Sequence, residues 1–562
     1  MKNQQSSLRW LRAAAGRDKL YIGLLALTQA ILGGSGVLYA VLLRDLIDAA
    51  VAGSGEGIRR SAVYLVLLVL AQLSLRALSR FLREFSASSL ENRFKKRLFS
   101  CLLRKDYASV TAVHSGEWMN RLTSDTAVVS KAMVNLLPNL AGMLVRLLGA
   151  LTALIILEPG FAAILIPGGI LMILLTYGFR RILKALHKRI QESDGALRIF
   201  LQERLGSLLV VRSFGVEERS EELAEERMKT HRTARMRRNH VSNLCNLGFG
   251  LVIQGAYLGA AVYCAVGLLH GSLSYGTLMA ILQLVGQIQA PFSNISGLVP
   301  EYYSMVASAE RLMEAERFPE DAVGARPLEE IRRFYREDFR ALGLRDACFT
   351  YRPPVRDEED APMPVVLEHL FLELRKGEFA AFTGHSGSGK STALKLLMSL
   401  YPLDSGERYV DGAAGEQPLD ASWRGLFAYV PQGNQLLSGT IREIVAFGDA
   451  EGMRKEQELW RALRVACAED FVAALDKGLD SSLGEGGAGL SEGQMQRIAI
   501  ARAVFSDRPV LLLDEATGSL DAETERQVLE NLRAMTDRTV LIVTHRPAAL
   551  ELCDKRIDLA GE

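Results

Sequence analysis

Paired cysteines are missing from this chain. Its six cysteines (Cys101, Cys245, Cys264, Cys348, Cys467 and Cys553) are scattered, with no CxxC pair and no zinc-ligand spacing. That argues against a disulfide framework or a cysteine-held metal and leaves them as small buried hydrophobes. Net charge is missing too: 66 Lys and Arg against 65 Asp and Glu leave +1, so no global basic field recruits nucleic acid and local basic clusters need a local reason. The opening stretch MKNQQSSLRWLRAAAGRDKL lacks the continuous apolar run and small-residue cleavage site of a signal peptide. With Trp10 and Leu11 set among arginines, residues 1–19 read as an amphipathic helix on the cytoplasmic face of a membrane. Charge is scarcest in the first 300 residues. The whole chain of 562 is 49% hydrophobic and 23% charged, with mean hydropathy +0.11, unusual for a soluble protein of two to four domains.

A spanning helix needs about 20 mostly apolar residues. Six stretches supply them: residues 20–43, uncharged between Lys19 and Arg44; 61–82, clean to Leu75; 132–157, interrupted by Arg146; 159–179; 241–269; and 273–298. The connections RFKKRLFSCLLRK (93–105) and RRILKALHKR (180–189) are rich in Lys and Arg, whereas EPG and HGSLSYG on the other side are short and nearly neutral. By the positive-inside rule both termini are cytoplasmic. The two basic connections are long and amphipathic without Gly or Pro interruption, so the helices continue into the cytosol. The expected architecture of residues 20–315 is an all-α six-helix transmembrane domain with long cytoplasmic helical extensions.

A polar linker, 316–339, follows. From residue 340 short β-type runs (VVLEHLFLEL, FAAFTG, LFAYVP, VLLLDEA, TVLIVTH) alternate with helical stretches, which predicts an α/β domain with a largely parallel sheet over 340–562. GHSGSGKS, 384–391, fits GxxxxGK[ST] between the strand-like FAAFT and the helical STALKLLMSL. Gly384, His385, Ser386, Gly387, Ser388 and Gly389 would curl backbone N–H groups around phosphates, Lys390 would reach the β and γ phosphates, and Ser391, followed by Thr392, would ligate Mg2+. VLLLDEA by itself is a buried strand meeting its loop. Beside a phosphate loop, Asp514 can hold the metal through water and Glu515 stands where an attacking water belongs. Gln432 in YVPQ could touch metal and water, His545 ends a strand at the ligand-binding edge of the sheet, and Tyr351 could stack on adenine.

GHSGSGKST, YVPQ, LSEGQ followed by QRIAIARA, LLLDEATGSLD and VTHR stand in the order and spacing of the nucleotide-binding domain of ABC transporters. Across its whole length, six spans ahead of one such domain, the chain resembles a half-transporter of the exporter type. GEGGAG (484–489) resembles the exporter loop before the signature, and SGEWMNRLTSD (115–125) and ERLGSLLVVRSFGVEE (203–218) resemble its two coupling segments. The resemblance implies a P-loop ABC ATPase using ATP and Mg2+, with Glu515 as catalytic carboxylate, Gln432 beside it and His545 on the γ-phosphate. It implies that the signature (Leu490, Ser491, Glu492, Gly493, Gln494) acts in trans on the nucleotide of a second half, itself or a related chain, and that Asp521 links the two sites. Glu492 replaces the first glycine of the usual LSGGQ, a position at which family members vary, so the resemblance implies a working turn with at most weaker ATP closure from the added negative charge. Export of a small amphipathic molecule, drug, lipid or peptide across a bacterial inner or plasma membrane follows, with the bilayer and the cargo as partners and no nucleic acid. A siderophore-like importer and the regulatory half of a heterodimer are the alternatives. Arg146, Gln283 and Gln287, the last two one helical turn apart with Gln289 and Asn294 beyond, line a candidate substrate path or hydrogen-bond between helices.

Overall fold

The computed structural model describes residues 2–321, 324, 326–351, 365–385, 387–433, 436–484, 487 and 489–559. The chain divides into two compact units, Met1–Arg97 with Asn120–Met313, and Leu98–Met119 with Glu314–Glu562.

Up to Arg317 the chain is helical: α1 (Lys2–Ala14), α2 (Lys19–Val51), α3 (Gly55–Leu102), α4 (Tyr107–Thr111), α5 (Ser115–Asn120), α6 (Thr126–Leu157), α7 (Pro159–Gly206), α8 (Leu208–Ser213), α9 (Glu217–Leu269) and α10 (Tyr275–Arg317). Among the described residues, four helical stretches are long and apolar enough to cross a membrane: Gly16–Val51, Gly55–Leu102, Ser115–Leu157 and Glu217–Leu269. The expected spans 159–179 and 273–298 fall on α7 and α10, where the side chains of 162–181 and 289–297 lie outside the described residues. On α3 the apolar face looks outward, with Val66, Leu67, Leu70 and Leu73 exposed. The 53 residues of α9 span about 80 Å at ~1.5 Å per residue, far more than the ~30 Å hydrocarbon core, so much of it continues beyond the membrane. The amphipathic start has a protein partner: Trp10 stacks on Phe94 at 5.8 Å, Leu11 is buried, and the buried Asp18 pairs with Arg93 at 2.8 Å.

Small residues bring α2 and α6 together. A Cβ on Gly33 would stand 2.5 Å from the Gly142 carbonyl oxygen, and one on Gly142 2.9 Å from the Gln29 carbonyl. With lipid as apolar as any side chain, close backbone approach supplies the packing that hydrophobicity cannot.

The second unit is layered. A short helix, α11 (Leu328–Glu337), lies inside the expected linker, because Ile331 and Tyr335, four residues apart in an otherwise charged segment, are buried. Tyr335 hydrogen-bonds Thr539 at 2.9 Å, which ties this piece of linker to the core. Then come β1 (Ala341–Thr350), β2 (Val365–Arg375), β3 (Phe379–Thr383), α12 (Lys390–Leu397), β4 (Ser405–Gly412), β5 (Gly415–Pro418), β6 (Phe427–Val430), the small ribbon strand β7 (Gly439–Thr440), α13 (Ile441–Val445), α14 (Glu456–Val465), α15 (Glu469–Ala473), β8 (Ser482–Leu483), α16 (Glu492–Phe505), β9 (Val510–Asp514), α17 (Ala522–Arg533), β10 (Thr539–Val543), α18 (Pro547–Leu552) and β11 (Lys555–Asp558). Five strands form a parallel sheet in the order β11-β3-β10-β9-β6. Its central strands are buried along their whole length, as continuous apolar runs in parallel sheets require. VVLEHLFLEL does not join them. It becomes β2 of an antiparallel sheet, β2-β1-β4-β5, because its alternation of buried and exposed positions suits a strand with one wet face.

Replacing Gly142 by Ala should destabilise the protein by about 1–3 kcal/mol through overpacking, read as a lower midpoint of thermal unfolding in detergent. Gly23→Ala, whose Cβ would meet nothing within 4 Å, should hold or raise that midpoint through helix propensity.

Candidate functional site

The parallel sheet delivers the motif residues to one edge. The phosphate loop leaves β3 and enters α12 through Gly384, Gly387 and Gly389 at φ 139°, 83° and 94°, a left-handed backbone that glycine adopts without strain. Gly389 also has no room: a Cβ there would be 2.7 Å from Leu367. Lys390, 6% exposed, donates from Nζ to the carbonyl oxygens of Gly384 (2.7 Å) and His385 (2.8 Å), closing the loop into a ring. Ser386 lies outside the described residues. The Oγ of Ser388 is buried without a hydrogen-bond partner, an orphan polar atom that a phosphate oxygen in this cradle would satisfy.

Across from the loop, Asp514 ends β9 at 1% exposure. Ser391 donates to its Oδ1 and Tyr429 to its Oδ2, each at 3.0 Å. Burial pushes the Asp514 carboxyl above its ordinary range, and the two hydroxyls pull it back. Glu515 takes a left-handed φ of 52°, a conformation costing on the order of 1–3 kcal/mol in a non-glycine residue. Gln432 donates from Nε2 to Glu515 Oε2 at 2.8 Å, so these two predicted residues meet directly. His545, just past β10 and exposed, follows the strand that lies between β3 and β9. Tyr351 donates or accepts at Thr392 Oγ1 (3.0 Å) and meets Phe349 and Tyr401 edge-on at 4.9 and 5.3 Å, so its ring is anchored to the phosphate-loop helix.

The signature opens α16. Ser491 Oγ accepts from the Gln494 N–H and Gln494 Oε1 from the Ser491 N–H, a reciprocal capping box. Leu490 is half-buried against the core. Glu492 is exposed in the first helical turn, where a carboxylate suits the helix dipole. Gly493 admits no side chain: a Cβ would lie 2.9 Å from the Ser519 carbonyl. Ser519 N–H in turn donates to Gln496 at 3.0 Å, fastening the signature helix to the loop that carries Glu515. Asp521 caps α17 by accepting from the Thr524 N–H at 2.9 Å, which holds its carboxyl below the usual range.

Residues 22–292 match the family described as ABC transporter transmembrane region, and residues 367–518 that described as ABC transporter. ATP-binding cassette sub-family B member 10, mitochondrial, of Mus musculus is 31% identical over 556 residues, covering 96% of this chain and 74% of that protein. The chain belongs to the ABC transporter family. This ABC transporter is also 27% identical over 546 residues to an ATP-dependent lipid A-core flippase of Mannheimia succiniciproducens, covering 95% of the chain and 90% of the flippase. It shares its fold with a bacterial Atm1-family ABC exporter solved with ATP bound, at a TM-score of 0.77, 23% identity and coverage of 96% and 93%. It is therefore a multi-pass membrane protein with a helical transmembrane domain ahead of a nucleotide-binding ATPase domain, homologous to half-transporter exporters, a family that dimerises.

The coupling-like stretch 115–125 of this ABC transporter is split. Residues 115–119 belong with Leu98–Met119 in the nucleotide-binding unit, where Tyr107 meets Tyr401 edge-on at 5.6 Å and Trp118 meets Phe318 at 5.9 Å. Residues 121–125 form a π-helical turn in the other unit, with the buried Asp125 accepting from Ser308 (2.8 Å) and Arg311 (2.6 and 2.8 Å). On the membrane side, Gln287 takes the interhelical role: its Nε2 donates to the Gly36 carbonyl at 2.6 Å. Gln283 is exposed, and the side chains of Gln289 and Asn294 lie outside the described residues. Arg146 is half-buried with no ion pair among the described residues.

Two residues of the ATP site escaped sequence reasoning. Arg546, inside the VTHR motif, ties the 518–521 loop by donating to the carbonyls of Gly518 (2.6 Å) and Leu520 (2.8 Å) and to Glu525 (3.0 Å). Tyr429 reads as an ordinary strand aromatic. The only signal for it was its position three residues before Gln432 on a strand that ends beside β9. Tyr429→Phe should lower Mg2+-dependent ATP hydrolysis on the order of tenfold, the worth of one hydrogen bond to a charged group, with nucleotide binding in EDTA unchanged. Equal loss of both would assign the hydroxyl to folding alone.

Proposed function

We propose that the chain is one half of an ATP-driven exporter of a small amphipathic molecule, drug, lipid or peptide, in a bacterial inner or plasma membrane with both termini and the ATPase cytoplasmic. The observation that carries this is the meeting of a glycine phosphate loop, the buried Asp514 and the Gln432–Glu515 pair at one sheet edge, in a chain whose first half is apolar helices. On this reading residues 1–19 are the amphipathic lead, 20–315 the transmembrane domain, 316–339 the linker and 340–562 the ATPase, with α11 functioning as part of the ATPase core.

Lys390 exchanges its loop carbonyls for phosphate oxygens, and the N–H groups at the start of α12 complete the cradle. The oxygen donors Ser391, Asp514 and Gln432 suit Mg2+, which takes one or two carboxylates beside phosphate and water and neutralises charge there. Glu515, restrained by Gln432 and by its backbone, orients the attacking water and receives its proton. His545 contacts the γ-phosphate and Tyr351 the base. The signature serves the nucleotide of the second half: the first N–H groups of α16 have no carbonyl a turn before them, Ser491 and Gln494 hold that turn open, and the outward Glu492 leaves it usable. Asp521 lies on the loop that joins the two sites.

Coupling follows from the aromatic contacts. Tyr351 touches Tyr401, and Tyr401 touches Tyr107 in the segment between α3 and α6, so closure around a nucleotide moves the tip of the membrane helices. The other tip, around α8, carries Leu205, Leu209 and Phe214 at 70, 83 and 76% exposure, an apolar surface that a second half would cover. Arg146 and Gln283 remain candidates for the substrate path. The amphipathic cargo is suggested by the lipid A-core flippase at 27% identity.

Glu515→Gln should bind ATP yet hydrolyse it at least about 100-fold more slowly and fail to load an amphipathic dye into inside-out vesicles. Wild-type turnover in this variant would overturn the assignment, and ATP-dependent uptake by intact cells in place of vesicles would make the chain an importer. Tyr107→Ala should keep basal ATPase activity within about twofold and lose its stimulation by transported compounds, since it removes the edge contact to Tyr401, worth ~0.5–1.5 kcal/mol, and leaves the Tyr351–Tyr401 pair in place.

A further inference from the structure

Charge along α9 is segregated. Residues 217–226 contain six glutamates, residues 227–240 contain Arg227, Lys229, Arg232, Arg235, Arg237 and Arg238 with His231 and His240 and no acid, and an apolar run begins at Val241. The neighbouring helix α7 mirrors this, with Arg180, Arg181, Lys184, Lys188 and Arg189 before its first acid, Glu192. A merely solvated helix gains by interleaving opposite charges at i, i+4. Among the described residues such pairs form towards the distal ends: Lys229 with Glu225 (2.9 Å), Lys188 with Glu192 (3.6 Å), Arg198 with Asp194 (3.3 Å) and Arg219 with Glu222 (2.9 Å). Arg232, Arg235 and Arg238 have no carboxylate partner among the described residues.

These three arginines and His231 line a cavity of about 750 Å³ between α7 and α9. Its one acid, Asp194, already pairs with Arg198, and His231 is fixed by Ser193 at 3.3 Å. Arg238 and Arg232 lie three and nine residues before Val241, or roughly 5 and 13 Å below the apolar run at ~1.5 Å per residue. The hydrocarbon core of ~30 Å becomes ~40–45 Å with its polar layers, or about 5–8 Å on each side, so Arg238 stands at head-group depth and Arg232 in the water just beyond it. Asn239 and Ser242 at the membrane end add neutral hydrogen-bonding groups.

We propose that this α7–α9 groove is a binding site for the phosphate head group of an anionic phospholipid from the adjacent leaflet. Arginine matches phosphate oxygens with paired donors, which lysine cannot do. The proposal rests on the membrane placement of α9 alone, whatever the cargo and the direction of transport.

Native mass spectrometry of the full-length protein in detergent, with phosphatidylglycerol and phosphatidylcholine of matched chains, tests it. The wild type should retain phosphatidylglycerol on the order of 10- to 100-fold over phosphatidylcholine, the scale expected of three cations near a surface. R232Q/R235Q/R238Q should lose that preference, whereas R9Q/R12Q/R17Q, which removes the same charge from α1, should keep it. R232K/R235K/R238K, with charge and folding preserved, should fall between. Equal loss in the α1 and α9 variants would reduce the effect to general basic charge and overturn the site. Full displacement of phosphatidylglycerol by millimolar glycerol phosphate would make it a site for a soluble anion and overturn the lipid assignment.

Discussion

A carboxylate almost without solvent must be satisfied where β9 ends, and the nucleotide-binding unit is arranged around that requirement. An ionised acid in such a place is costly unless its oxygens find donors. Asp514 finds two, Ser391 from the phosphate-loop helix and Tyr429 from the neighbouring strand β6. Both are reachable only because β10 separates β9 from β3 while β6 lies directly alongside. The strand order is thus what turns a loop, an acid and a tyrosine, far apart in the chain, into one polar cluster at the mouth of an apolar sheet.

The same economy runs outward from that cluster. Gly493 allows α16 to press on the carbonyl of Ser519, Gln496 receives the N–H of the same residue, and Arg546 ties the rest of the loop. The segment bearing Glu515 in its strained backbone is therefore clamped by the signature helix on one side and by the residue after His545 on the other. Strain at Glu515 persists because its surroundings over-determine it. Glu492, the one departure from LSGGQ in the signature, sits outside this clamp and adds a charge that favours the helix start.

On the membrane side the organising force differs. Apolar side chains gain little from one another in lipid, so α2 and α6 meet through backbone at Gly33 and Gly142, and Gln287 spans to Gly36. Polar atoms in such surroundings act as fasteners between helices. The charge on α7 and α9 is likewise sorted by depth, with acids where water is plentiful and arginines where the apolar run begins.

Much of this was legible in the residues. Uncharged windows announce helices that cross a membrane, since no other backbone arrangement satisfies its own hydrogen bonds there apart from a closed barrel. GHSGSGKS and VLLLDEA announce a phosphate cradle and its acid, because glycine conformations and a buried strand leave few alternatives. These are local properties, set by a residue and its near neighbours. What only the tertiary structure decided are the contacts between distant segments: the placing of VVLEHLFLEL in an antiparallel sheet, the recruitment of α11 from the linker into the core, the hydroxyl of Tyr429 on Asp514, the meeting of Tyr107 with Tyr401, and the cavity its arginines share between α7 and α9. Each depends on which faces come together, and a hydroxyl or an arginine carries no mark in sequence of the partner that packing will bring within 3 Å.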